Sequence, residues 1–252
     1  MPQKKQNEFA VAVGLLGLGF TGMMLVSLIG CSLMTMAAVW TTDRVTTDLL
    51  MLLNDISIYG LGLPVLLAVG HFLPDGGPMP LRPKRALRPV TFARAAAVGE
   101  ELVFRGYLYR KLIRFGQLPY ILLSAFFFGS FHGNLEQFFY AFVLGCWLGY
   151  LVCRTGSVFY GMLIHLFINF FSSCVLTGVG EGAVINTLLG AGILALAGWG
   201  FVQFWDFRRR MFVRPATGLP QHPVRAALLN PGMLLWIVAF VAMCVINLFG
   251  GT

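Results

Sequence analysis

Charge is what this sequence has least of: Asp, Glu, Lys and Arg together make only 11% of its residues. Soluble domains carry roughly 25% charged residues and about 45–50% apolar ones. Here the apolar share is 58%, and the mean hydropathy is +0.79. A soluble chain of 252 residues needs far more polar surface than this. CxxC pairs are also missing. The five cysteines, Cys31, Cys146, Cys153, Cys174 and Cys244, lie in or beside apolar runs, so they read as packing residues rather than a disulfide framework or zinc knuckle. No HExxH motif, internal repeat, low-complexity segment or soluble domain is present.

What is there instead is a series of apolar runs long enough to cross a bilayer, which takes about 20 residues each. They predict an all-α polytopic bundle of seven or eight transmembrane helices around an intramembrane cavity, with residues 1–252 forming a single integral membrane domain. The runs fall at 9–40, 49–73, 92–114, 117–133, 134–153, 157–177, 183–205 and 232–249. The first is too long for a cleaved signal and reads as a retained span. Formal net charge is +8, and much of it sits in two loops: Arg82, Lys84, Arg85 and Arg88 in the Pro-rich loop 74–91, and Arg208, Arg209, Arg210 and Arg214 in the loop 206–231. That placement fits the positive-inside rule and anionic headgroups, and no nucleic-acid partner is expected. Lys4, Lys5 and the 74–91 loop then share the cytoplasmic side, two spans apart.

The 92–114 helix stands out because it carries Arg94, Glu100, Glu101, Arg105, Arg110, Lys111 and Arg114. Such a helix needs shielding by neighbours or an interfacial position. Glu101 and Arg105 are four residues apart and share a face, where they can pair. Glu100 is turned about a hundred degrees from its neighbour and is free to face a cavity. Adjacent carboxylates in a low-dielectric site also oppose each other's ionisation, which suits a general base. Two further clusters follow: Phe128-Gly-Ser-Phe-His132, and His165-Leu-Phe-Ile-Asn169, whose two polar side chains point the same way. Each has an ordinary reading alone, as an interfacial ion pair, a helix-end histidine, or polar glue between helices. Asp55 reads as interfacial, and His71 and His222 as solvated residues beside Pro-rich loops. Gly190 and Gly192 are small residues suited to a helix–helix contact.

Taken in order, Glu100-Glu101-x-x-x-Arg105, Phe128-x-x-x-His132 and His165-x-x-x-Asn169 resemble the three motifs of the CPBP family, the CAAX prenyl endopeptidases and the bacteriocin-processing or immunity proteins also called Abi. The motif-bearing core spans 95–177. The resemblance implies an all-helical intramembrane endopeptidase that uses glutamate as its base. It makes Glu100 the base that activates water, helped by His132, and makes His165 and Asn169 the donors to the oxyanion. Glu101 and Arg105 become supporting residues that orient Glu100. It implies no cofactor and a peptide or protein substrate, prenylated in the CAAX case, entering from the bilayer. The membrane is the plasma membrane in a prokaryote or the endoplasmic reticulum in a eukaryote, and the short loops favour the former. Two other readings use the same residues. A zinc metalloprotease could take its ligands from the glutamates and histidines, and a non-enzymatic scaffold, immunity factor or regulator could share the fold. A transporter would require paired broken helices or a repeat.

Overall fold

The computed structural model describes residues 2–42, 45–81, 95–178, 183–216 and 219–249, and all of their regular structure is helical. The basic cluster Arg82, Lys84, Arg85 and Arg88 and residue Arg94 lie outside the described residues. The helices are α1 (Pro2–Thr41), α2 (Thr47–His71), α3 (95–115), α4 (Gln117–Phe131), α5 (Leu135–Thr155), α6 (Phe159–Gly178), α7 (Ala183–Phe207), the short α8 (Pro223–Leu228) and α9 (Pro231–Phe249). The eight long ones match the eight apolar runs. Five are long and apolar enough to span a membrane, and α4 and α6 are shorter apolar helices. This is an integral membrane protein.

Helix α1 is the bundle's axis. Phe9, Ala12, Val13, Leu16, Phe20, Met23 and Ser27 recur every three or four residues and are buried, which gives one continuous inward face. That face meets α2 on one side and α9 on the other. At the α2 contact, Ser27 and Ser57 each donate a hydroxyl to the other's carbonyl, which satisfies polar groups that lipid cannot. Aromatic rings fill the centre. Phe20 stacks on Phe127 at 4.4 Å, and Phe104 meets Phe128 edge-on at 5.3 Å. Trp236 of α9 packs beside Phe127 and donates its indole N–H to Ser130 Oγ at 2.8 Å.

Two helices widen into π turns. In α2 the wide stretch is Ile56–Gly62, immediately before Pro64. A proline has no N–H to give and its ring crowds the carbonyl four residues back, so the preceding turn loosens. In α3 the wide stretch is Leu102–Tyr107, directly after the paired glutamates. Single π turns of this kind concentrate at functional sites.

The connections are short and locally specified. Gly133 (φ 71°) and the Asn134 side chain, which accepts from Gln137 N at 2.7 Å, turn α4 into α5. Gly156 takes a left-handed conformation at the end of α5, and Ser157 Oγ accepts the Phe159 N–H to start α6. Polar contacts tie one end of the bundle together. Lys111 Nζ lies 2.8 Å from Asp75 Oδ1, Arg110 also pairs with Asp75, Arg114 lies 3.5 Å from Glu8, and Val158 N donates to Pro80 O at 2.7 Å. The hydrogen bond from Lys111, with the nearby Arg110 charge, holds the Asp75 carboxyl below the usual carboxylate range. The crowded cations of α3 are therefore paired at its end, and its central Arg105 is fully buried. This is the shielding that the charge of 92–114 demands. By contrast, most of α7 lies on the outside, held to α5 where Trp147 meets Phe204 and Phe207.

Candidate active site

The paired glutamates of α3 point in different directions, as their hundred-degree offset requires. Glu101 is fully buried, and its Oε1 accepts from Arg105 Nη1 at 2.9 Å. Glu100 keeps a fifth of its side chain exposed. Arg105 is fully buried too, with its guanidinium 4.0 Å above the Phe128 ring. Charge and aromatic face attract strongly once water is excluded. Helix α6 comes close at Gly161, where a β-carbon would fall 2.8 Å from Glu101 Oε2. That approach brings His165 onto both carboxylates.

His165 is almost completely buried between them. Its Nδ1 lies 3.1 Å from Glu101 Oε1, and its Nε2 lies 3.5 Å from Glu100 Oε2. The first contact fixes the ring: Nδ1–H donates to Glu101, so Nε2 faces Glu100. His132 stands at the end of α4, on the other edge of Phe128. The Phe128 ring contacts the His132 ring at 5.0 Å and the His165 ring at 5.5 Å, both edge to face. His132 Nδ1 lies 2.8 Å from the Phe128 carbonyl, to which it donates. In the neutral ring this leaves Nε2 as an acceptor.

The structure therefore gathers Glu100, Glu101, Arg105 and His165 into direct contact and sets His132 across one aromatic ring from them. Asn169 lies one turn beyond His165 on α6, part-buried, with no hydrogen bond to another described residue. Among the described residues, Glu101 Oε2, Arg105 Nε and Arg105 Nη2 are buried without a hydrogen-bond partner. Such atoms are uncommon in folded proteins and concentrate where function needs polar capacity. No three of the described His, Cys, Asp and Glu residues converge as a set of metal ligands. An apolar cleft of about 360 Å³ beside Leu118, Leu122 and Phe126 contains none of these site residues.

One residue absent from the motifs comes close to the site from α2: the Tyr59 ring lies against Gly99, next to Glu100 in sequence. His71 and His222 are exposed, as their loops suggested.

Residues 83–171 match the family model described as type II CAAX prenyl endopeptidase Rce1-like. This segment is similar to the Rce1-like family. It covers about a third of the chain and contains every residue of the three motifs. The description is that of a protease, so the buried carboxylates and histidines lie in a peptidase-like segment of a membrane protein. No curated protein and no solved structure matches the chain. The Rce1-like segment begins before α3 and ends within α6, so it takes in the three helices that carry the motifs.

Proposed function

We propose that this protein is an intramembrane endopeptidase of the CAAX type, in which Glu100 activates the water that cleaves a peptide bond. The observation that carries the reading is the asymmetry of the two glutamates. Glu101 is locked by Arg105 with no exposure, while Glu100 keeps a fifth of its side chain exposed beside His165. One carboxylate is structural, and the other is available to substrate and water.

In this reading Glu100 takes a proton from water, and the water oxygen adds to the scissile carbonyl carbon. His132 Nε2 is a second acceptor that helps orient the water. The oxyanion receives the Asn169 amide N–H and the Nε2–H of a protonated His165, whose charge Glu101 balances through Nδ1. As the intermediate collapses, the C–N bond breaks and the proton held by Glu100 passes to the leaving amine. One water is consumed, and an acid and an amine are released. General bases contribute about 10²–10⁴-fold and oxyanion donors about 10²–10³-fold. The substrate is a prenylated C-terminal peptide, whose lipid holds it in the bilayer that surrounds the site.

The test is cleavage of prenylated and unprenylated peptides by purified protein in liposomes. Wild type, Glu100→Gln, His132→Ala and a chelator-treated sample run in parallel. The expected result is cleavage of the prenylated peptide that survives chelation and falls by about 10²–10⁴-fold in Glu100→Gln. Cleavage lost on chelation and restored by zinc would transfer the reaction to a metal site. Full activity in Glu100→Gln would remove the assignment of the base.

A further inference from the structure

Helix α7 is exposed along most of its length, and its aromatic contact with the bundle is local: the Trp147 ring of α5 stacks on Phe207 at 5.9 Å and meets Phe204 edge-on at 5.7 Å. Beside that contact lies a cleft of about 670 Å³ that holds none of the site residues. Its walls include Leu144, Leu148 and Leu151 of α5, Ile164 of α6 and Phe207 of α7. The same cleft is lined by two arginines, Arg154 in the last turn of α5 and Arg210 in the turn that ends α7.

The two ends of this cleft differ in chemistry. Leu144, Leu148, Leu151 and Arg154 recur every three or four residues, so they share one face of α5. At 1.5 Å per residue that face rises about 15 Å from Leu144 to Arg154. It is apolar below and cationic at its top. Phe207 and Arg210, three residues apart, repeat the order at the end of α7. Arg154 is exposed and makes no ion pair among the described residues. Arg210 lies 3.6 Å from Asp206, with the two side chains 77% and 75% exposed, and so open a pair holds neither charge firmly. Arg208 and Arg209 stand beside them, so four arginines face one carboxylate at this level.

The positive-inside rule puts this end at the cytoplasmic leaflet. That leaflet carries anionic lipids, and basic pockets between membrane helices hold their headgroups. A soluble anion would use the arginines and leave the apolar walls unfilled. A neutral lipid would fill the walls and leave the arginines unused. An amphiphile with an apolar chain and a negative head uses both.

We propose that the cleft between α5 and α7 binds an anionic phospholipid of the cytoplasmic leaflet. One acyl chain lies along Leu144, Leu148, Leu151 and Ile164, and the phosphate sits at Arg154 and Arg210. The lipid thereby completes the packing of α7 on the bundle.

The test uses the full chain, purified in detergent and stripped of lipid. Phosphatidylglycerol and phosphatidylcholine with identical acyl chains are added separately. Native mass spectrometry reads the bound lipid, and thermal unfolding reads the stabilisation. The expected result is that phosphatidylglycerol binds about tenfold or more tightly than phosphatidylcholine, raises the unfolding temperature, and loses its advantage in high salt. Arg154→Gln with Arg210→Gln abolishes the preference. Arg214→Gln with Arg225→Gln, the same charge change on two exposed residues outside the cleft, keeps it. Ile164→Trp, which fills the cleft, weakens both lipids. Equal binding of the two lipids by the wild type would overturn the proposal without any variant. A preference that survives the Arg154 and Arg210 changes would overturn it too, by reducing it to general surface charge. The same stabilisation by glycerol phosphate would make the cleft a site for a free anion. A dimer that Ile164→Trp dissociates would make its occupant a second copy of this chain.

Discussion

Arg105 is the residue on which the site's electrostatics turn. It pairs with Glu101, it has no exposure, and it lies over Phe128. Removing one partner of a buried ion pair strands the other charge, at a cost of about 3–5 kcal/mol. Arg105→Met is therefore expected to lower the unfolding temperature in detergent sharply and to abolish cleavage. Adding Glu101→Gln removes the stranded charge and should recover much of the stability, without restoring activity. No recovery would mean that Arg105 acts through its packing on Phe128 rather than through charge. The i,i+4 spacing of Glu101 and Arg105 made this pair legible in the sequence, as did the rotation that frees Glu100. Which nitrogen of His165 faces which glutamate was not legible, because it depends on how closely α6 approaches at Gly161. Asp55 was visible only as a charge in an apolar run.

At the scale of elements, close packing without a hydrophobic drive between helices relies on small residues. The sequence drew attention to Gly190 and Gly192, but in α7 a β-carbon on either, or on Gly198 or Gly200, meets nothing within 4 Å among the described residues. The close crossing is instead between α1 and α9. A β-carbon on Gly17 would fall 2.4 Å from Gly232 O, and the backbones of Gly14 and Gly232 are in direct contact. Glycines spread over distant segments carry no local signal that they meet, whereas Gly190 and Gly192 look like a motif because they are neighbours. Gly232→Val should force α1 and α9 apart and destabilise the protein by about 1–3 kcal/mol or more, the usual cost of overpacking. Gly198→Val should leave the unfolding temperature unchanged. Equal effects at the two positions would show that α7 is packed in the membrane as tightly as α9.

At the scale of the whole molecule, the order and bounds of the helices were readable from hydropathy because lipid demands long apolar runs with satisfied backbones. Orientation follows from charge. The packing puts Glu8, Asp75, Arg110, Lys111, Arg114 and the Pro80–Val158 contact at one end of the bundle, with Arg214 N bonded to Gln117 nearby. Arg154 and Arg208–Arg210 end α5 and α7 at that same level, since these helices run the same way as α3. The opposite end has Asp48 and Glu136, and no Lys or Arg among the described residues. The positive-inside rule then puts the basic end in the cytoplasm. Glu136 and Arg209 are both exposed and stand at opposite ends, so a cysteine at each reports the orientation directly. In a background without the native cysteines, Glu136→Cys should react with a membrane-impermeant maleimide in intact cells. Arg209→Cys should react only after permeabilisation. The reverse pattern would invert the topology. It would also turn the end of the bundle nearest Pro80 and Val158, from which α6 carries His165 into the site, toward the opposite compartment.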